Sequence, residues 1–173
     1  MYRDRTLLPK EAVRLAVLGI LAGKPLDYAE IASELRHFTT RIVGPSLELT
    51  GSSIEMFRLE GLIAFAGGQR LTLTEKGQAE LRELLNSGMR APFDGINRLV
   101  LALKMRFLHL LDVESQRDQA EMMIEAAETE LARIEDLNRR HDGEDGHLGE
   151  FLAHEINDAR ARLEWFRAFR AKL

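Results

Sequence analysis

The chain of 173 residues has no cysteine. Disulfides, thiolate zinc sites and cysteine nucleophiles are thereby excluded, and a reducing compartment is permitted. Long apolar runs are missing too. The opening stretch MYRDRTLLPKEAVRLAVLGILAG carries Glu11 and Arg14 inside its apolar pattern, which breaks a secretory core. No segment approaches the roughly 20 uncharged apolar residues of a membrane span, so the expectation is a cytoplasmic protein without a membrane partner. Catalytic signatures are equally absent. No glycine-rich phosphate loop follows a strand, neither Ser-x-x-Lys nor His-Glu-x-x-His occurs, and no carboxylate pair sits in a recognisable cleft pattern, so the chain is not expected to be an enzyme or to carry a cofactor. Nor is there a basic excess: 24 basic residues face 28 acidic ones, split 11 against 11 over residues 1–88 and 13 against 17 over 89–173. A DNA footprint, if present, has to be a local patch.

What is there is mostly helix. Val13, Ala16, Val17, Ile20 and Leu21 follow spacings of three and four, giving an amphipathic helix from near Pro9 to Gly23. In DYAEIASELRHF, Asp27 is the N-cap and Glu30 completes a capping box, with Ile31, Leu35 and Phe38 on one face. A third helical stretch runs through Ile54, Phe57 and Leu59 to Gly61, starting somewhere between Ser46 and Thr50. LIAF and RLTL flank AGGQ and read as a tight hairpin, anchored on the core by Leu62, Ile63, Phe65, Leu71 and Leu73, before Thr74 caps a helix through Leu85. Three helices and a hairpin in this order make a winged helix-turn-helix, whose third helix enters the major groove and whose hairpin is the wing.

NSGMRAP, residues 86–92, is small, polar and proline-ended, and divides a head of residues 1–88 from a helical part of residues 89–173. DGINRLVLALKMRFLHLLDV, capped by Asp94, is apolar on nearly every side and needs a surface to cover it. Ala120, Ile124, Ala127, Leu131 and Ile134 form a coiled-coil seam, and Leu152, Ile156, Ala159, Leu163, Phe166 and Phe169 keep helical spacing on a last helix. The fold class expected is mostly α with a small β-hairpin: a winged head plus a C-terminal antiparallel helical dimerisation arm. An arm of that kind leaves one face wet unless a second copy covers it, so a homodimer is expected, built on Ile124, Ala127, Leu131, Ile134, Leu152, Ile156, Leu163, Trp165, Phe166 and Phe169.

LAVLGILAGKPLDYAEIASEL (15–35), EGLIAFAGGQRLTLTEKGQAEL (60–81) and ARARLEWFRAFRAKL (159–173) resemble the opening, the wing and exit, and the closing helix of PadR-family transcriptional regulators. The family's wing follows a Glu-Gly-Leu-Ile step and leads to Leu-Thr-x-x-Gly, and Leu163, Glu164 and Trp165 match its aromatic-bearing dimerisation segment. The resemblance implies a dimeric regulator, read as a repressor, that binds a near-palindromic operator in double-stranded DNA. One departure is plain. Gly51 and Ser52 stand where family members carry tyrosine and proline, so the usual DNA-contacting aromatic has no counterpart in this chain.

Candidate DNA contacts are Ser46, Thr50, Ser52 and Ser53, small hydroxyls near the third helix N-terminus that equally serve as caps, with Arg58 further along. Arg41, Gln69 and Arg70, and less strongly Arg36, offer phosphate contacts from a loop and the wing. Glu48 and Glu55 oppose them, since carboxylates repel phosphate. The alternative reading is a winged-helix protein-interaction module that has lost DNA binding. His109 offers a contact to a small-molecule effector between head and arm, as some members of that family make with aromatic acids; the alternative is a histidine that is simply packed or pointing to solvent. HDGEDGH (141–147) has ligand-type side chains but lacks calcium-loop order, and reads as an acidic turn rather than a metal site.

Overall fold

The computed structural model describes residues 6–44 and 52–173, with the backbone alone at Ser52 and Ser53. The element order is α1 (Pro9–Gly23), α2 (Tyr28–Val43), α3 (Ser52–Leu59), β1 (Ile63–Phe65), β2 (Leu71–Leu73), α4 (Glu75–Leu85), α5 (Gly95–Phe107), a 3-10 turn (Leu108–Leu110), α6 (Val113–Arg140) and α7 (Leu148–Arg170).

The local signals act as their chemistry dictates. The Asp27 carboxylate accepts from the Glu30 N–H at 2.8 Å and the Glu30 carboxylate accepts from the Asp27 N–H at 2.9 Å, so each satisfies an amide the first turn of α2 leaves free. At α4 the Thr74 hydroxyl oxygen accepts from the Gly77 N–H at 3.0 Å and its O–H donates to the Gly61 carbonyl at 2.7 Å. One threonine thus caps α4 and fastens it to the end of α3. Gly77 is there because nothing larger fits: a Cβ at that position would lie 2.0 Å from the Leu62 carbonyl oxygen.

The chain divides into two compact units, residues 1–88 with 93–111, and residues 89–92 with 112–173. Packing therefore breaks at Asp112, and α5, which the sequence groups with the arm, belongs to the first unit. The reason is its composition. Leu99, Val100, Leu103 and Phe107 are all buried, and α5 covers α1 and α2. Gly19 lets the crossing close, since a Cβ there would meet the Phe107 ring at 2.4 Å. Arg106 completes the join: its guanidinium pairs with Glu34 of α2 and lies over the Phe38 ring, 4.8 Å from its centroid.

β1 and β2 pair antiparallel with Ile63 opposite Leu73 and Phe65 opposite Leu71. Leu26, between α1 and α2, adds a third short extended segment, donating to the Leu71 carbonyl at 3.1 Å and accepting from the Leu71 N–H at 2.7 Å. β2 is therefore inner and β1 is the edge. This corrects one expectation: Leu62, Ile63 and Leu71 are buried, but Phe65 is 58% exposed, because the end of the edge strand lies beyond the core.

In the second unit α6 and α7 form an antiparallel pair around Ile134, Leu152, Ile156 and Ala159, with Leu131 against them. Arg160 with Glu135 at 2.6 Å, Arg162 with Glu130 at 2.6 Å, Arg167 with Glu128 at 2.8 Å and Arg170 with Glu121 at 3.3 Å run down the pair in reversed order and fix its register.

Candidate nucleic-acid interface

The head places α2, α3 and the hairpin in the arrangement that sequence order suggests. Arg14 of α1 fastens α3 from behind, bridging Glu60 just after α3 at 2.7 Å and Glu80 of α4 at 3.0 Å while its guanidinium sits 5.3 Å from the Phe57 ring centroid. That network joins α1, α3 and α4 through one cation. Ile54 and Phe57 are buried beneath it, so the opposite side of α3 is presented outward.

Of the hydroxyl candidates, Ser46 and Thr50 lie outside the described residues, as does Glu48. Ser52 and Ser53 form the first turn of α3. Arg58 is described fully, and its charge is already taken: its guanidinium donates to the Glu55 carboxylate from Nε at 3.0 Å and pairs with it through Nη2. The hydrogen bond lowers the pKa of Glu55 and raises that of Arg58, so the pair is held ionised and locally neutral. Arg58 also lies 5.8 Å from the centroid of the exposed Phe65 ring. The outer surface here is markedly apolar, with Leu59 at 68% and Met56 at 51% exposure beside Phe65.

Arg70 differs. At the tip of the hairpin its Nη1 donates to the Pro25 carbonyl at 3.0 Å, which orients it without neutralising it. Gln69 beside it is exposed. Arg41, in the last turn of α2, donates to the ring of His37 at 3.0 Å. Among the described residues, Arg36, Arg41 and Arg70 meet no carboxylate, in contrast to Arg58. Sequence reasoning missed His37; the signal was its spacing of four from Arg41 along one helix face.

Lys104 was missed altogether. Its side chain is fully buried, and Nζ donates to the carbonyls of Leu85 at 2.6 Å and Ser87 at 2.7 Å, where α4 ends. Burial pushes its pKa down to about 7. A lysine three residues before a buried aromatic gives no sequence signal for this.

His109 is exposed on the 3-10 turn and borders a groove of about 860 Å³ between α1, α2 and α5, floored by Gly19, Ile20, Leu26 and Phe107. The arm residues separate into two sets. Ile124, Ala127, Ile134, Leu152, Ile156, Leu163 and Phe166 are buried, with Leu131 packed on the same seam, so their burial is achieved within one chain. Trp165 is 51% exposed and stacks on Phe169 with centroids 5.7 Å apart, and Phe151 is exposed as well. Among the described residues no group of three or more His, Asp or Glu side chains could hold a metal ion, and His141 and His147 pair instead with Glu144 and Glu150.

Three helices closed by a hairpin that is tied back through Leu26 define a winged helix-turn-helix, and the long C-terminal helices complete a mostly helical fold. The chain belongs to the family described as "Putative AphA-like transcriptional regulator", whose model matches residues 2–170. No curated protein matches it. Among solved structures it is similar to Bacillus subtilis PadR in complex with p-coumaric acid, with 19% identity, 93% of this chain and 98% of that chain covered, and a TM-score of 0.39. It is similar also to Bacillus subtilis PadR in complex with operator DNA (16%, 92% and 97%, 0.38) and to a PadR-like transcriptional regulator from Bacillus cereus (16%, 92% and 96%, 0.38). Among the described residues no helix is long and apolar enough to cross a membrane.

Proposed function

We propose that the chain is a dimeric, sequence-specific DNA-binding repressor, with residues 1–88 as the DNA-binding part and the C-terminal helices as the dimerisation part. The observation that carries the reading is the intact winged head, with α3 presented outward and Arg70 oriented but not neutralised at the wing tip, in a chain whose family is one of transcriptional regulators. In this reading Ser46, Thr50, Ser52, Ser53 and Arg58 supply the major-groove contacts, while Arg41, Gln69 and Arg70 meet phosphates. Two heads engage successive major grooves about 34 Å apart on a near-palindromic operator, so a change in the tilt of the arms alters affinity. Trp165, Phe169 and Phe151 supply the apolar surface that a second copy covers. The groove beside His109 is where a small-molecule effector would bind and shift that geometry.

Selection of bound sequences from random duplex DNA by the purified protein tests the proposal. Enrichment of a two-fold-related motif is the expected result, and failure to enrich any sequence at low salt overturns it. A second reading, a winged-helix module that docks on a protein, is favoured by one observation: Leu59, Met56 and Phe65 expose apolar surface where phosphates would call for cations. Stable protein binding through that face without DNA enrichment would select it.

A further inference from the structure

The side of α3 turned away from the core is apolar and carries no free cation. At about 3.6 residues per turn, Ile54 and Phe57 point inward together, and Glu55, Met56 and Leu59 share the opposite side. Leu59 is the most exposed large apolar side chain among the described residues, and Met56, three positions earlier on the same face, is half exposed. The helix has a single basic residue, Arg58. It is turned aside: Nε donates to the two Glu55 carboxylate oxygens at 3.0 and 3.1 Å, and the guanidinium lies 5.8 Å from the Phe65 ring centroid. A carboxylate flanked by two apolar side chains is a poor match for phosphate, which is charged alike and offers nothing apolar in return. The floor of the major groove is different. Its base edges present neutral donors and acceptors and one methyl group, the C5-methyl of thymine. Seating Met56 and Leu59 against that floor takes them out of water, which phosphate contact at the rim does not.

We propose that Met56 and Leu59 read thymine, their side chains packing on the C5-methyl groups of two nearby thymines in each half-site. Resting on the DNA-binding reading, this adds to it the base that α3 selects and two residues that select it. Side chains three apart on a helix have Cβ atoms about 5–6 Å from each other, a span of one to two base-pair steps of about 3.4 Å. The two thymines are therefore adjacent or separated by one base pair. Met56, unbranched and flexible, adapts to the methyl it meets, and branched Leu59 has less freedom to do so. Discrimination comes from burial alone, since no other base presents a methyl group in the groove. The Glu55–Arg58 pair keeps charge away from the contact, so the selection owes nothing to salt-sensitive attraction.

The experiment starts from an operator selected out of random duplex DNA and replaces its thymines by deoxyuridine, one position at a time and in both half-sites together. That exchange deletes the methyl and leaves base pairing and every hydrogen-bonding edge intact. Affinity is measured for the wild type, Met56→Ala and Leu59→Ala; both positions are exposed, and melting temperatures check that the fold is kept. The wild type should lose about fourfold for each methyl removed, at two thymines per half-site, with the slope of log affinity against log salt unchanged. Met56→Ala and Leu59→Ala should each lose a comparable factor on the unmodified operator and become indifferent to deoxyuridine at one of the two positions. Equal wild-type affinity for every deoxyuridine operator, or a selected half-site without thymine, overturns the proposal while leaving the DNA-binding reading standing. Alanine variants that bind like the wild type and keep its full deoxyuridine penalty overturn it too, and leave this face of α3 to a protein partner. Absence of wild-type binding to any duplex removes the DNA-binding reading itself, and the proposal with it.

Discussion

The Lys104 amine lies 2.6 Å from the carbonyl oxygen of Leu85, the last residue of α4, with no exposure to solvent. It holds α5 to the C-terminal end of α4 by supplying donors where the helix leaves carbonyls unmatched. A neutral amine still has two N–H groups, enough for Leu85 and Ser87 together. Burial pushes the folded pKa down to about 7 from an ordinary value of 10.5. Between those values the unfolded chain holds a proton the folded chain does not, so this group makes stability rise with pH, by at most about 1.4 kcal/mol per unit. Below about pH 7 the benefit is lost. Thermal melts from pH 7 to 9 should show the rise, and Lys104→Met should flatten it. A wild-type curve flat over that window would show that the lysine stays charged.

Gly77 of α4 is fixed by the backbone ahead of it. Replacing it with alanine drives a Cβ to 2.0 Å from the Leu62 carbonyl oxygen, and since that atom belongs to the wing's backbone, the hairpin or the helix has to shift. The expected cost is about 1–3 kcal/mol by chemical denaturation, the range for overpacked sites. An unchanged midpoint would mean that α4 can slide.

Glu55 silences Arg58 on the face of α3 that is proposed to meet DNA. Glu55→Gln removes the negative charge and leaves the arginine free to pair with a phosphate. Affinity for duplex DNA should therefore increase, by up to about eightfold at 0.1 M salt, and the salt slope should steepen by about one. If neither moves, Arg58 is not in the interface.

Arg70 is tethered to Pro25 and points from the wing tip with its charge intact. Arg70→Ala should weaken binding to all sequences alike and reduce the salt slope. An unchanged slope in a binding titration would remove the wing from the proposed interface.

Trp165 stacked on Phe169 is apolar surface that the antiparallel helix pair does not cover. Trp165→Glu should convert a dimer to a monomer in sedimentation at micromolar protein. A monomeric mass for the unaltered chain would contradict the proposed dimer directly.

Much of the head is legible from sequence because its signals are local. Asp27 with Glu30, Thr74 three residues before Gly77, and the paired glycines at the hairpin tip each act within a few residues, so the chain states them without needing its tertiary context. The helical seam of the arm is legible for the same reason, since spacings of three and four set a face whatever covers it. The site is harder. Arg58, Arg70 and Arg41 look alike in sequence, yet one is neutralised by Glu55, one is held by a carbonyl 45 residues away and one leans on a histidine.

The sequence alone determined the elements, their order, the absence of cysteine chemistry and the family resemblance, because propensity, capping and periodicity are properties of neighbouring residues. Only the tertiary structure decided that α5 belongs with the head, that Phe65 faces outward, that Lys104 is sealed against the end of α4 and that the arm's seam is filled within one chain. Each of those depends on which distant surface arrives to cover a residue, and an apolar or charged side chain carries no mark of its eventual partner.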